Sequence, residues 1–309
     1  MKLRQLQCLC AVVDAGFNIS RAADALHATQ PAIGKTLRQF EEELGVDLLR
    51  RQRGRPVGLT EAGERTLAWA RRALQCTDNI RAVAQECGGD APANIALGTT
   101  HTHANYVLLT PITAFTTQFP RVRINVLQGT PEQVAELVAE GRVALGVTNQ
   151  PGELPKEVLA VPFLSVRQVL VTPAGHPLLK EKQLTLQKLA AWPMIVHNPA
   201  RPQGARIERQ FRQAGLDVNV AVQALDADVM KTYVAAGLGI AVIPAIAYSA
   251  SKDRELRSRE VDHLFEPSVS VVLLKRQSHL PPHVYAFLDK LDAKLGRARV
   301  EALVFGRAG

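Results

Sequence analysis

The side chains best suited to binding a large polar partner lie in the early helical patterns of the chain. After Thr29, apolar residues recur at steps of three and four, so they share one face of a predicted helix. The opposite face then presents Pro31, Lys35, Arg38 and Gln39. Polar and basic side chains in the first turns of such a helix can contact base edges and phosphates of duplex DNA. The apolar face consists of Ile33, Leu37, Phe40 and Leu44.

A second basic group follows this helix directly. Four arginines occupy six positions between short apolar runs, with Gly and Pro residues close by. This punctuation favours a two-stranded ribbon, or wing, whose arginines can contact phosphates and the minor groove. A solvated loop is the alternative. The arginines are Arg50, Arg51, Arg53 and Arg55.

Two further helices are predicted before the helix that follows Thr29, which we call the recognition helix, and they would hold it in place. Residues 3–15 carry apolar residues at helical spacing, and Asn18 or Ser20 can cap a short helix after them. Thr29 can cap the recognition helix, and Gly45 stands at its C-cap position. An ordinary pair of surface helices with a basic face is the alternative to a DNA-binding pair.

A long helix is predicted after the wing. Thr60 can cap it, acidic residues occupy its first turn, and the helical pattern persists to about Cys87. A small domain cannot bury an apolar stripe of this length, whereas pairing with a second copy of the helix would bury it. We therefore expect a dimer. The stripe consists of Leu67, Ala70, Leu74, Thr77, Ile80 and Ala84.

Whole-chain charge adds little to the DNA argument. The net charge is +8, but residues 1–90 hold 13 Lys and Arg against 11 Asp and Glu, a net of +2. Any DNA affinity must come from local clustering of basic side chains.

The cysteines have no metal-ligand spacing, and we expect free thiols in a reducing cytoplasm, with a redox role as the alternative. No signal peptide or membrane-spanning run is recognisable. The cysteines are Cys8, Cys10, Cys76 and Cys87.

The character of the chain changes after a linker at residues 88–92. From Ile95 to Leu295, strand patterns alternate with helical patterns, which predicts an α/β domain with a largely parallel sheet. So many units favour two subdomains with a cleft between them, where a small ligand commonly binds.

The first sixty residues resemble the winged helix-turn-helix domain of the LysR-type transcriptional regulators. The matching segments are SRAADALHATQPAIGKTLRQFEEELGVDLLRR, from Ser20, and GLTEAG, from Gly58. The resemblance implies an N-terminal all-α winged helix-turn-helix with a long linker helix. It also implies a C-terminal α/β effector domain of two Rossmann-like subdomains, like those of periplasmic binding proteins, with crossover strands near 162–170 and 264–270.

The same resemblance implies the domain boundaries and the partners. The winged domain would cover 1–60, the dimerisation helix 61–88, effector subdomain I 92–163 with 268–309, and subdomain II 164–267. The expected partners are double-stranded promoter DNA, a small anionic effector, further copies in a homodimer or homotetramer, and RNA polymerase. The predicted DNA contacts are Ser20, Arg21, Thr29, Gln30, Pro31, Ala32, Lys35, Thr36, Arg38, Arg50, Arg51, Arg53 and Arg55.

The effector half resembles the CysB and Cbl branch of the family, which controls sulfur assimilation. Matching segments are 99–106, 128–131 and 226–234. Residues 99–103 end a strand and begin a helix, whose N–H groups suit an anion. The resemblance implies that Thr100 and Thr102 bind a sulfate-like group. The predicted effector contacts are Thr100, Thr102, His103, Asn149, Arg201 and Gln203.

Three positions depart from that branch. His103 stands in place of Gln, Asn149 in place of Thr, and Pro202 in place of another Thr. Pro202 has neither a hydroxyl nor a backbone N–H to donate, so Arg201 or Gln203 would have to supply that contact. The effector is then a different sulfur compound or another anion.

Two residue pairs could suggest other chemistry. His101 and His103 point to opposite faces with no third metal ligand nearby in the sequence, so we expect no metal. Asp226 and Asp228 stand at the start of a predicted helix, where a carboxylate can cap the helix and interact with its partial positive charge. We expect this role and not acid–base catalysis. We therefore expect neither enzyme activity nor a cofactor.

The sequence predicts a cytoplasmic LysR-type DNA-binding regulator that answers to a sulfur-metabolism anion: sulfate, thiosulfate, a sulfonate or an acetylserine-type ligand. One alternative is a small-molecule-binding protein or α/β enzyme whose N-terminal helices only dimerise it. Within the family, the alternative is a regulator that answers to a non-sulfur carboxylate.

Overall fold

The computed structural model describes residues 1–52, 54–88, 94–198 and 202–306, with the backbone alone at 75, 78, 79, 81–88, 202 and 203. The chain divides into two compact units, Met1–Ala91 with His279–Pro281 and Pro92–Ser278 with Pro282–Gly309. None of the helices in the described residues combines the length and the apolarity that crossing a bilayer requires.

The first unit is helical with a small antiparallel ribbon. The predicted caps are present: the Asn18 side chain accepts from two N–H groups of the second helix, and Thr29 Oγ1 accepts from the third. Gly45 ends the third helix in the left-handed conformation, at φ 70°. The elements are α1 (Leu3–Asp14), α2 (Ile19–Ala25), α3 (Gln30–Leu44), β1 (Leu49–Gln52), β2 (Arg55–Leu59) and α4 (Glu61–Gly88).

The core of this unit corrects two sequence expectations. Leu44 is 40% exposed, and the last buried position of α3 is Glu41. The α4 stripe does not face outward along its whole length, because Leu67 and Ala70 are buried in the core of their own unit. Farther along α4, Ile80 is 68% exposed. Only the later part of the stripe is therefore left for a partner.

The second unit is built on two five-stranded sheets. The first sheet has the order β4-β3-β5-β12-β6 and the second β11-β7-β10-β8-β9. Their strands are β3 (Asn94–Thr99), β4 (Arg123–Gln128), β5 (Leu145–Asn149), β6 (Val158–Val166), β7 (Gln168–Pro173), β8 (Met194–His197), β9 (Val220–Ala224), β10 (Ile240–Pro244), β11 (Leu256–Glu260) and β12 (Ser268–Lys275).

Helices cover these sheets. Short 3₁₀ turns occupy Pro177–Lys180, Ala245–Ala247 and Ala293–Leu295. The helices are α5 (His101–Tyr106), α6 (Leu109–Gln118), α7 (Pro131–Ala139), α8 (Leu186–Ala190), α9 (Pro202–Gln213), α10 (Ala227–Ala235), α11 (Pro282–Leu291) and α12 (Arg297–Phe305).

The alternation of strands and helices predicts largely parallel sheets, and this prediction is wrong. In each sheet three neighbouring strands run parallel, and the remaining two pairings are antiparallel. The reason is the path of the chain, which leaves the first sheet between β6 and β7 and returns between β11 and β12. Strands that cross between sheets need not follow the right-handed β-α-β connection that keeps strands parallel.

Three local expectations also change. The single helix predicted over 104–119 is two helices, α5 and α6, separated at Val107 and Leu108. The last predicted helix, Pro282 to about Leu295, ends at Leu291 and a 3₁₀ turn follows it. The sequence patterns do not predict β6, β11 or α12, although the family resemblance implied a crossover strand near 162–170.

Candidate nucleic-acid interface and ligand cavity

The outer face of α3 is polar and exposed. Lys35 and Arg38 are exposed, whereas Ile33, Leu37 and Phe40 on the opposite face are almost fully buried. Thr36 is half-buried and its hydroxyl is hydrogen bonded to the Cys8 thiol, so it faces the core edge. The other predicted contacts here that are exposed are Ser20, Arg21, Thr29, Gln30, Pro31 and Ala32.

A buried carboxylate fixes the position of the wing. Glu41 Oε1 accepts from the N–H groups of Leu48 (2.9 Å) and Leu49 (3.1 Å). Arg51 completes the arrangement, donating Nη1 to Oε1 at 3.1 Å and Nη2 to Oε2 at 2.5 Å. Burial raises the pKa of Glu41, but these hydrogen bonds outweigh it and hold the pKa below its usual value. Arg51 is therefore engaged in joining β1 to α3.

The other wing arginines are placed differently. Arg50 and Arg55 are exposed, and the Arg50 guanidinium lies over Gly58, where an added Cβ would stand 2.9 Å from Nη2. Arg53 lies outside the described residues. The sequence assigns all four arginines to contact with DNA. No sequence pattern indicates that Arg51 would instead form an ion pair with Glu41.

In the second unit, three helices begin at the wall of one cavity of about 340 Å³, which we call the anion cavity. Thr100 Oγ1 caps α5, Thr130 Oγ1 caps α7 at 3.2 Å, and Asp226 Oδ1 accepts from two N–H groups of α10. The remaining walls include Thr102, Gln128, Gly129, Gln133, Asn149, Gln150 and His197. Helix N-termini carry partial positive charge, so this wall favours a negatively charged group.

His103 does not line this cavity. It is 1% exposed, and its ring lies between Thr100 Oγ1, 2.8 Å from Nδ1, and Ser270 Oγ, 2.9 Å from Nε2. Burial lowers the pKa of His103 to about 4, so the ring is neutral near pH 7. The expected direct contact with the effector is thus corrected: His103 positions Thr100 from behind the wall.

The structure brings together part of the predicted effector set. Thr100, Thr102 and Asn149 line the anion cavity. Arg201 lies outside the described residues, and for Gln203 only the backbone, within α9, is described. Asp226 and His197 line the cavity too, although the effector prediction did not include them.

A polar network joins α5 to α10, and it contacts the cavity wall through His101, whose Nε2 lies 3.2 Å from Asp228 Oδ2. Tyr106 Oη donates to Asp228 Oδ1 at 2.5 Å, and Lys231 Nζ lies 3.0 Å from Tyr106 Oη and 3.0 Å from Asp253 Oδ1. Burial lowers the pKa of Lys231, but its hydrogen bonds to these oxygens outweigh it and raise the pKa above its usual value. The network crosses from a helix of the first sheet to one of the second.

The fold does not complete the His101 and His103 pair, but it brings His101 next to two carboxylates. His101, Asp226 and Asp228 offer ligand atoms within 4.8 Å of one another. Those atoms already have partners: Asp228 Oδ2 lies near Asn105 Nδ2 (3.1 Å) and His101 Nε2 (3.2 Å), and Asp226 caps α10. We interpret the cluster as part of the contact between the helices.

Two family models match the chain. One, described as "LysR substrate binding domain", matches residues 89–296, and the other, "Bacterial regulatory helix-turn-helix protein, lysR family", matches residues 3–64. The chain is 35% identical over 308 residues to the HTH-type transcriptional regulator CysB of Burkholderia cenocepacia, covering 100% of this chain and 98% of the relative. It is 33% identical to the HTH-type transcriptional regulator SsuR of the same organism, covering 98% and 99%. It also matches a solved cofactor-binding domain of the Cbl transcriptional regulator at 31% identity and TM-score 0.65, over 70% of this chain and 94% of that one.

Proposed function

The chain belongs to the LysR family of bacterial helix-turn-helix regulators, and we propose that it binds promoter DNA and responds to a small anion of sulfur metabolism. The observation that carries this proposal is the exposed polar face of α3. Its opposite face is pinned by buried Ile33, Leu37 and Phe40, so Lys35 and Arg38 are held outward.

The DNA contacts divide by role. Gln30, Lys35 and Arg38 face the major groove, where amide and cationic side chains hydrogen bond to base edges and phosphates. Arg50 and Arg55 contact the backbone or minor groove from the wing. Arg51 instead holds the wing at its angle to α3 through Glu41. Both parts act together because the wing can contact DNA only at a fixed distance from the recognition helix.

The effector site is the anion cavity. The beginnings of α5 and α7 supply partial positive charge, and Thr102 and Asn149 supply neutral hydrogen-bond donors. Asp226 is the single carboxylate among the described lining residues, and the N–H groups of α10 offset its charge. The identity to CysB and the resemblance of residues 99–106 to that branch support a sulfur oxyanion, with a non-sulfur carboxylate as the competitor.

Assembly follows from α4. Trp69 and Ile80 are 66% and 68% exposed, and pairing with the α4 of a second copy would cover such side chains. Pairing of α4 would give a homodimer that places two recognition helices on a two-fold DNA site. We propose that two such dimers form a homotetramer. The protein would act in the cytoplasm, with RNA polymerase as a further partner. The functional parts are 1–60, 61–88, 92–163 with 268–309, and 164–267. No catalysis or cofactor is part of the proposal.

Regulation is a population shift between two arrangements of the subunits. The effector changes DNA binding only if it binds one arrangement more tightly than the other. The network of Tyr106, Asp228 and Lys231 joins helices of the two sheets. Asp228 contacts His101 of the cavity wall, so an effector bound at that wall can bias how the sheets are held.

A thermal-shift screen of the full-length protein tests the effector assignment. The compounds are sulfate, thiosulfate, sulfonates and acetylserines, compared with matched carboxylates. A ligand that binds only the folded protein raises its melting temperature. Stabilisation by sulfur oxyanions is expected, with the effect lost in Thr102→Val; stabilisation by carboxylates alone would overturn the sulfur assignment.

A further inference from the structure

The hydroxyl of Ser270 is buried in the first sheet of the second unit. Ser270 lies in β12 with no exposed surface, and its Oγ stands 2.9 Å from Nε2 of His103. Thr99, another buried residue of this sheet, instead donates its hydroxyl to the Val147 carbonyl at 2.7 Å. Among the described residues, Ser270 Oγ has no partner besides the His103 ring. A buried hydroxyl is normally satisfied, so the ring is the acceptor of its hydrogen.

This contact decides which ring nitrogen of His103 carries the proton. A neutral imidazole has one N–H donor, and its other nitrogen is an acceptor. Burial lowers the pKa of His103 to about 4, so the ring is neutral near pH 7. With the proton on Nε2, Ser270 would have to accept, and its own hydrogen would stay buried without an acceptor, which is costly. With the proton on Nδ1, Ser270 donates to Nε2 and both groups are satisfied.

The proton on Nδ1 in turn sets the role of Thr100. Nδ1 lies 2.8 Å from Thr100 Oγ1, and the backbone N–H of His103 donates to the same oxygen at 3.5 Å. Thr100 Oγ1 therefore accepts twice from His103. Its own hydrogen has no acceptor among the described residues, and Thr100 lines the anion cavity. A ligand in the cavity thus meets only the hydrogen of this hydroxyl.

We propose that Ser270 and His103 fix Thr100 as a hydrogen-bond donor to the ligand, so that the ligand atom at this position is an unprotonated acceptor. Ser270 donates to Nε2, Nδ1 donates to Thr100, and Thr100 donates into the cavity. This inference rests on the proposed effector function of the anion cavity. It adds the two residues that set the polarity of the cavity wall at Thr100.

The two residues act from behind the cavity wall. Neither His103 nor Ser270 is among the described residues that line the cavity, so they are positioning residues for Thr100. A threonine hydroxyl without such partners can donate or accept. Here it can only donate, and hydrogen bonds in a chain polarise one another, which strengthens the last of them. The site therefore favours an oxyanion with unprotonated oxygens over a ligand that turns a hydroxyl or amino hydrogen toward Thr100.

Magic-angle-spinning NMR of the full-length protein, labelled with ¹³C and ¹⁵N at histidine, tests the position of the proton. The chain has 8 histidines, and the signals of His103 are those lost in His103→Gln. Correlation with the ring carbons distinguishes the two nitrogens. We expect Nδ1 protonated and Nε2 bare at pH 7, with and without sulfate. In Ser270→Ala, Nε2 loses its donor and the two nitrogens should share the proton. A proton on Nε2 in the unmodified protein would overturn the inference.

Calorimetric titration tests the consequence for binding, with whichever of sulfate, thiosulfate and acetate the unmodified protein binds most tightly. In Ser270→Ala, Thr100 can turn its hydrogen toward Nδ1, so this anion should bind about fivefold more weakly. The matched control is Thr148→Val, which also removes a fully buried hydroxyl from the first sheet. Thr148 Oγ1 has no partner among the described residues and does not line the anion cavity, so affinity should be unchanged.

The outcomes separate this inference from the effector assignment. Equal anion affinity of Ser270→Ala and the unmodified protein would overturn the inference and leave the anion cavity standing as the effector site. An equal loss of affinity in Ser270→Ala and Thr148→Val would also overturn it, since any buried hydroxyl would then have the same effect. Failure of all three anions to bind the unmodified protein would overturn the effector function, whichever nitrogen of His103 carries the proton.

Discussion

Replacing His103 by Gln should remove much of the acid sensitivity of the second unit. In the folded protein burial lowers the pKa of His103 to about 4, against an ordinary 6.5. Between these values the unfolded chain binds a proton that the folded protein does not, so stability rises with pH across this window. The contribution is complete above pH 6.5 and is lost progressively down to pH 4. The difference of pKa corresponds to about 3 kcal/mol.

Urea unfolding from pH 7.5 to 4 measures the effect. A Trp69→Phe background leaves Trp192, which packs in the core of the second unit, as the fluorescent reporter. Gln can keep a hydrogen bond to Ser270 but has no titrating group, and other groups affect both proteins alike. The stability of the unmodified protein relative to His103→Gln should fall by about 3 kcal/mol over this range. Parallel curves would show that His103 is not held neutral as described.

Three further outcomes are expected in the first unit. Lys35→Ala should weaken DNA binding and reduce the slope of affinity against salt by about one, whereas exposed Lys290→Ala in the second unit should change neither. Gly63→Ala should lower the melting temperature by several degrees, because the new Cβ would stand 2.0 Å from the backbone oxygen of Leu48. In the control variant Gly34→Ala the new Cβ meets nothing within 4 Å, so the melting temperature should stay the same or rise. Arg51→Ala should cost about 1–3 kcal/mol in urea unfolding by leaving a buried carboxylate with one fewer charged donor; an unchanged midpoint would contradict the role given to that ion pair.

The local architecture of the first unit follows from sequence because its signals are short-range. Caps at Asn18, Thr29 and Gly45 and the period of α3 each involve residues within a few positions. Periodicity could not show that Leu44 is exposed while Glu41 is buried. That depends on the chain turning after Gly45, so that the N–H groups of Leu48 and Leu49 meet the Glu41 carboxylate.

The candidate site in the second unit is less accessible to sequence reasoning, since its residues meet over long separations. Thr100 and Thr102 are predictable as a strand end followed by a cap. The burial of His103 requires Ser270, which lies 167 positions away. Gln168 Nε2 donates to Ser268 Oγ across the two crossovers, and no local pattern indicates that contact. Burial and long-range pairing are set by how the sheets are assembled.

We propose above all that the exposed face of α3 reads DNA. The most direct measurement is fluorescence anisotropy of the full-length protein on a duplex enriched from a random library, compared with a scrambled duplex over a series of salt concentrations. We predict binding to the enriched duplex at least about 10³-fold tighter than to the scrambled one, with affinity falling steeply as salt rises. Equal affinity for both duplexes, or affinity that does not change with salt, would show that this face does not recognise DNA sequence.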